Sequence, residues 1–349
     1  MAISETVRGD WIMRHRIGFI GTGEIARIHA EAIRRLEMGW VIAGGYDVNS
    51  PSCSDFCGIY GGTSYRSAEA LLKDPRIDTV YICTRHDSHI SYSDMTCRAG
   101  KNIFLEKPVA MNFEDVLKLF EIFSKKPVFF AVGYNMRVTP VILKLKEKLK
   151  EYKVVPEAFR ANMTGTPFMQ GWAGDSAYGG GVLVCQGSHM FDLIAYILES
   201  PITEVCAEVQ WLNQPKELEP NAATILVRLE NGVCGTLLMH DRGSKSYHVE
   251  PNGGMVNITV YSDQGTFDAD AYGKLRYGTE VGFTEECPAG ENDIIFRWGY
   301  QKEAEYFAGL IDGNTSPLCT LKQAAKTAAV VDAARKSAKE HRWVSITYE

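Results

Sequence analysis

Between residues 16 and 135, short apolar runs alternate with amphipathic stretches. Ile17–Ile20 predicts a strand. Glu24–Leu36 follows as a helix, with Ile25, Ile28, His29, Ala32 and Leu36 at helical spacing. Val41–Tyr46 predicts the next strand, closed by Asp47. A short helix at Ala68–Leu72 stops before Pro75, and Thr79–Cys83 predicts a third strand. Ser91–Ala99 reads as a helix ended by Gly100. Ile103–Leu105 and Val128–Val132 read as strands on either side of a helix at Phe113–Phe123. This βαβα rhythm implies a parallel, doubly wound sheet.

The texture changes after about residue 150. Longer alternating segments appear at Glu204–Leu212, Ala223–Leu229, Val233–Met239 and Val256–Tyr261. Turn signals separate them, as at Asn231-Gly232 and Asn252-Gly253-Gly254. One helix opens after Gly179-Gly180-Gly181 and runs to about Leu198, and two more lie near Tyr300–Ile311 and Leu321–Lys339. The expected organisation is an N-terminal extension (1–15), an α/β nucleotide-binding domain (16–135) and an α+β domain (136–349). The last is built on a largely antiparallel open sheet.

A length of 349 residues favours two domains, and 45% hydrophobic with 23% charged residues is ordinary for a soluble globular chain. The net charge is −6 with no basic run, which argues against a nucleic-acid partner. No stretch reaches the length of a membrane helix, and residues 1–14 carry no apolar signal core. The nine cysteines are scattered, with no CxxC pair. Cys53 and Cys57 have no nearby residues to complete a zinc set. Reduced thiols in a cytoplasmic protein without a metal are the expectation.

Gly21-x-Gly23-x-x-Ala26 lies between the first strand and the first helix. It fits the dinucleotide fingerprint, in which glycines permit a tight turn and close approach of backbone to a pyrophosphate. Asp47 ends the next strand, where a carboxylate accepts hydrogen bonds from the adenosine ribose and repels a 2′-phosphate. Val48 and Asn49 follow it, so NAD is favoured over NADP. The competing reading makes Asp47 a strand-end cap.

Glu106-Lys107-Pro108 follows a buried-type strand, which puts Lys107 at the carboxyl edge of the sheet where ligands of open α/β folds bind. Thr84-Arg85-His86-Asp87-Ser88-His89 follows another strand and lines the same edge, with Thr84 and His89 as cofactor neighbours. On the later helix, Cys185, His189 and Asp192 stand at i, i+4 and i+7 and share a face. His189 is a candidate general base. Its alternatives are a core histidine bonded to a backbone carbonyl, or a zinc ligand with Cys185, for which no third ligand stands out. Asp192 reads as a structural acid.

With these motifs in order, the chain resembles the Gfo/Idh/MocA family of sugar and cyclitol oxidoreductases. The resemblance covers nearly everything after residue 15. It rests on the glycine turn with Asp47, on Glu106-Lys107-Pro108, and on Gly133-Tyr134-Asn135-Met136-Arg137. It also rests on Gly179-Gly180-Gly181-Val182-Leu183 followed by Gly187-Ser188-His189 and Asp192. The resemblance implies a Rossmann domain and cofactor contacts at Gly21, Thr22, Gly23, Glu24, Ile25, Asp47, Thr84, His86, His89, Glu106 and Lys107. It implies Lys107 beside the reacting carbon, often with a cis proline peptide, and His189 as the proton-transferring histidine. Asn135 is placed near the substrate, and the open sheet serves as an oligomer interface, a dimer or tetramer.

Two departures stand out. The family loop usually reads Thr-Pro-Asn-x-x-His, and here Arg85 and His86 replace the Pro and Asn. Many members carry an aspartate where this chain has Cys185, and a neutral thiol cannot hold an imidazolium. The expected activity is reversible oxidation of a secondary alcohol on a sugar, glycoside or cyclitol. Lys107 then stabilises the developing alkoxide and His189 takes the proton, or the two exchange roles. Trp172 is a candidate for stacking on a sugar ring or for a packing anchor, and His240 is a weaker substrate contact. The alternatives are an NAD-recycling lyase or glycoside-cleaving enzyme working through a transient ketone, and a non-catalytic NAD-binding regulator.

Overall fold

A computed structural model describes residues 15–36, 39–165, 171–242, 255–288, 290 and 293–348. Of the expected extension (1–15), residues 1–14 lie outside the described residues, as does the turn at Asn252-Gly253-Gly254, and His15 already begins the first strand.

Six strands form the first sheet: β1 (His15–Ile20), β2 (Trp40–Tyr46), β3 (Thr63–Ser64), β4 (Thr79–Ile82), β5 (Asn102–Glu106) and β6 (Phe130–Gly133). Their order is β3-β2-β1-β4-β5-β6, and all neighbours run parallel. This is the doubly wound order, with its switch point between β1 and β4. Helices cover both faces, so β4 and most of β1 and β5 are buried, which is why they read as continuous apolar runs. The predicted elements of this half are all present. The helix Ser50–Tyr60 and the two-residue β3 escaped the periodicity. In that helix serines, cysteines and a glycine dilute the apolar stripe. It is specified by its start instead, where Asn49 accepts from the Ser52 amide and Pro51 occupies the first turn.

The second sheet has nine described strands: β7 (Ala158–Thr164), β8 (Ile202–Gln210), β9 (Ala222–Leu229), β10 (Cys234–His240), β11 (Val256–Ser262), β12 (Gly265–Asp270), β13 (Leu275–Thr279), β14 (Gly282–Glu286) and β15 (Val344–Ser345). They run in the order β14-β13-β12-β11-β7-β10-β9-β8-β15. Only β7 and β10 pair in parallel. One face is buried by Ile225, Val227 and Leu237, while Leu226 and Leu238 alternate onto the open face. The sequence pattern missed β7 and β12 to β14. It also missed the helix Pro140–Glu151, which Thr139 caps by accepting from the Ile142 amide.

The chain does not divide cleanly between the sheets. The helix Tyr300–Ile311 returns to the first one, where Phe307, Ala308 and Leu310 pack with Phe19, Trp40 and Tyr81. The helix Leu321–Glu340 belongs to both cores. Ala324, Ala325 and Ala328 pack under the first sheet, and Val330, Val331, Ala333 and Ala334 under the second.

The single helix expected after the glycine triplet is two segments, Gly181–Cys185 and Gly187–Ile197, joined at Gln186. Gly180 and Gly181 take φ of 75° and 67°, a region that side chains rarely adopt. The second segment is buried on nearly all sides, so its polar residues do not share one destination. Asp192 is held by Arg137, with Nε 2.7 Å and Nη2 2.6 Å from the two carboxylate oxygens. Both side chains are buried, and Arg137 Nη1 also donates to the Leu318 carbonyl at 2.7 Å.

Removing one member of such a pair leaves a buried charge without its partner. Asp192→Ala is expected to destabilise the protein by about 3–5 kcal/mol in urea unfolding. The double variant Arg137→Met/Asp192→Leu is expected to recover most of that loss. A single variant as stable as the wild type would remove the pair's structural role.

Candidate active site

The carboxyl ends of the parallel strands, the glycine-started helix and the segment before Tyr300 enclose a cavity of about 850 Å³. Gly21 turns the chain out of β1 with φ of 86°, and a Cβ there would lie 2.3 Å from the Cys83 carbonyl oxygen. Gly23 caps the helix Glu24–Arg34 without a side-chain cap, and a Cβ on it would meet nothing within 4 Å. Amides of a helix start without side-chain partners, beside open space, fit a phosphate group. Gly21, Gly23, Glu24, Ile25 and Asp47 all line the cavity.

Thr22 does not. It is fully buried, and its amide and hydroxyl donate to Asp47 Oδ2 at 2.7 and 3.2 Å. Thr22, expected at the cofactor, braces Asp47. The Asn49 amide bonds the other carboxylate oxygen at 2.8 Å, so Asp47 is fixed from both sides.

Thr84, His86, Glu106, Lys107, Asn135, Trp172, Cys185 and His189 also line the cavity. Glu106 is committed inward. Its Oε1 accepts from His29 Nε2 at 2.6 Å, and its Oε2 accepts from the Lys107 amide at 2.9 Å. Nearby, burial and then the charge of Glu106 push the Glu303 carboxyl well above its ordinary range. The Lys107–Pro108 peptide is cis, as the resemblance implied. Lys107 Nζ donates to the Cys185 carbonyl at 3.4 Å, so position 185 contacts the lysine through its backbone. The Cys185 side chain is half-buried in the cavity wall.

His189 Nδ1 is buried and has no hydrogen-bond partner among the described residues, which removes the reading of a ring satisfied there by a carbonyl. Burial, reinforced by Lys107 and His86, drives its pKa well below 6.5. No group of three or more His, Cys, Asp or Glu among the described residues is arranged to hold a metal. Asn135 donates to the Trp298 carbonyl at 2.8 Å. Trp172 is 43% exposed, with one edge against the His86 ring at 5.0 Å.

Two further expected site residues lie outside the described lining. His89 is fully buried behind the loop, not in the cavity lining, and its Nδ1 and Nε2 face the Pro108 and Thr84 carbonyls at 2.7 and 3.2 Å. It braces the cis-proline segment from behind. His240 is likewise absent from the described lining, and its Nδ1 accepts from the Arg242 amide at 3.3 Å. Sequence reasoning missed Tyr272, Trp298 and Tyr300, which complete the wall. Tyr272 and Trp298 stack at 4.6 Å. The cluster Trp298-Gly299-Tyr300 before a helix was the available signal, since Gly299 has φ of 81° and sits against Asn135.

Residues 15–134 match the family model described as "Oxidoreductase family, NAD-binding Rossmann fold", and residues 149–346 match its "C-terminal alpha/beta domain". The chain belongs to the Gfo/Idh/MocA oxidoreductase family. Among relatives in that family is myo-inositol 2-dehydrogenase of Thermotoga maritima, 25% identical over 95% of this chain and 98% of that protein. Inositol 2-dehydrogenase of Rhizobium meliloti is 23% identical over 96% and 100%. A levoglucosan dehydrogenase solved with NADH and levoglucosan superposes with a TM-score of 0.84, at 18% identity, over 96% of this chain and all of that one. That likeness concerns the fold of this Gfo/Idh/MocA protein. No described helix is long and apolar enough to cross a membrane.

The pKa of each of the buried histidines 86, 89 and 189 is lowered in the folded chain, with burial as the leading cause. In the unfolded chain they bind protons at about pH 6.5. Their neutral burial therefore contributes full stability above pH 6.5, and that contribution is lost as pH falls towards the lower folded values. Urea midpoints are expected to drop between pH 7.5 and 5.5, and to drop less in His189→Gln. An equal drop in both proteins would show that His189 is not neutral in the fold.

Proposed function

We propose that this protein is an NAD-dependent dehydrogenase acting on a secondary alcohol of a sugar, glycoside or cyclitol. The observation that carries this reading is the meeting of Lys107 and His189, from the two halves of the chain, in one cavity with the glycine cradle and Asp47. The names of the relatives, inositol and levoglucosan dehydrogenases, support the substrate class.

The residues fit the cofactor. The helix start at Gly23 offers amides to a pyrophosphate, and the braced Asp47 carboxylate offers acceptors to ribose hydroxyls while repelling a 2′-phosphate. A bound nicotinamide supplies the hydride acceptor. Lys107, as an ammonium, donates to the reacting oxygen and stabilises negative charge as it develops. His189, kept neutral by burial and by Lys107, takes the hydroxyl proton. With a thiol at 185, Lys107 carries the charge stabilisation, its Nζ anchored by the Cys185 carbonyl. Trp172 offers an indole face to a sugar ring. The open face of the nine-stranded sheet, with Leu226 and Leu238 exposed, supports a homo-oligomer.

Lys107→Ala is expected to lower kcat about a hundredfold or more, the scale of losing an oxyanion donor. The assay follows reduced nicotinamide at a wavelength of about 340 nm over a panel of sugars, glycosides and cyclitols. Steady accumulation supports a dehydrogenase. Substrate turnover with no net change would point to the NAD-recycling reaction instead, and near-normal kcat in the variant would overturn the role of Lys107.

Asp47→Ala is expected to weaken NAD binding about tenfold, as for one charge-assisted hydrogen bond, and to narrow the preference for NAD over NADP. Fluorescence titration with NADH and NADPH measures both, and unchanged constants would exclude the ribose contact.

A further inference from the structure

His86 stands where the family loop usually has asparagine, and the mechanism above does not use it. It is almost fully buried, yet it lines the same cavity as Lys107, Cys185 and His189. Its Nδ1 lies 2.9 Å from the Gly179 carbonyl oxygen, across the boundary between the two halves of the chain. A carbonyl can only accept, so Nδ1 carries the proton. Burial, then His89 and Lys107, drive the ring's pKa well below 6.5, so it is neutral at physiological pH. A neutral imidazole protonated on Nδ1 presents a lone pair on Nε2. The tautomer is fixed by a backbone bond outside the reaction.

The neighbouring chemistry leaves a place for such an acceptor. Lys107 and the Trp172 indole can only donate, the Cys185 thiol is a poor acceptor, and the Gln186 amide oxygen, though unpartnered, is closed off from solvent. Glu106 is occupied by His29 and the Lys107 amide. The His86 ring also packs edge-on against Trp172, and Arg85 lies 4.1 Å over the Tyr178 ring. The two residues that depart from the family loop therefore both hold the 171–179 segment in place.

We propose that His86 is a substrate-binding residue that sets specificity, its Nε2 accepting a hydrogen bond from a polyol hydroxyl next to the one oxidised. This rests on the dehydrogenase reading. His86 takes over the hydroxyl-accepting task for which Cys185 is unsuited, while Lys107 and His189 retain the chemistry. The site then prefers substrates with a hydroxyl vicinal to the reacting carbinol over their deoxy analogues.

The test compares wild type, His86→Phe and His86→Asn with NAD, using myo-inositol, levoglucosan and simple hexoses, then monodeoxy analogues of whichever compound wild type oxidises. Phenylalanine keeps a ring against Trp172 but removes the acceptor. Asparagine can donate to Gly179 and still accept. KM for the parent polyol at saturating NAD is expected to rise about tenfold or more in His86→Phe, with kcat within a few-fold, and to recover in His86→Asn. One deoxy analogue is expected to lose about tenfold in kcat/KM with wild type and nothing further with His86→Phe. An unchanged KM in His86→Phe, or equal deoxy penalties in both proteins, overturns the proposal and leaves the dehydrogenase reading standing. Wild type that binds NADH but oxidises no polyol overturns both. If His86→Phe fails to bind NADH or to fold by near-ultraviolet circular dichroism, His86→Leu and the deoxy comparison on His86→Asn decide. A full deoxy penalty in His86→Asn then supports the acceptor role, and its absence overturns it.

Discussion

The ion pair between Arg137 and Asp192 sets the geometry on which the site depends. Arg137 sits just past the end of the parallel sheet, and Asp192 lies one turn beyond His189 on the glycine-started helix. Two parallel bonds between a planar guanidinium and a carboxylate fix orientation as well as distance. Asp192 therefore locates His189 relative to the sheet edge that carries Lys107, although neither charged group of the pair lines the cavity. A second inward carboxylate acts in the same sense. Glu106 ties the Lys107 peptide to His29 on the first helix, so the helix whose start suits a phosphate and the lysine beside it share one anchor. The side chains left facing the cavity are positioned by charges hidden behind them.

Position 185 illustrates how backbone and side-chain roles separate. Its thiol is half-buried in the cavity wall. With cysteine, the lysine is still met by the residue's carbonyl, because helix geometry and not side-chain identity puts that oxygen in reach. A neutral thiol is a poor hydrogen-bond acceptor. The adjoining loop presents the His86 imidazole, whose tautomer is fixed from behind by Gly179.

The parallel half was legible because its strands are buried on both faces and its helices carry single stripes, so period and burial agree. The glycine turn, Asp47, Lys107 and His189 could be read from motifs for the same reason, since each sits at a strand end or a helix start whose position the pattern fixes. The antiparallel half was less legible. Short strands such as β13 and β14 alternate over too few residues to stand out, and the helix Pro140–Glu151 is announced by its cap more than by its periodicity. Thr22, His89 and His240 lie off the described cavity lining, which their motifs do not report. A polar residue beside a motif has the same sequence signature whether its side chain faces a ligand or bonds the backbone behind it. Only coordinates separate the two, as they do for the two carbonyls around His89. Tyr272, Trp298 and Tyr300 come from a remote part of the chain that reaches the cavity through the return crossing, and no local pattern reports such a path.

The alanine-rich helix Leu321–Glu340 packs its first turns under one sheet and its later turns under the other, without interruption. The polypeptide also passes between the sheets at 135–140 and again at 293–300, where the Asn135 amide bonds the Trp298 carbonyl. Opening the cleft like a pair of jaws would require bending that helix and breaking the bond between the two crossings. Both constraints oppose such an opening, so the frame around the cavity sets the width of the gap.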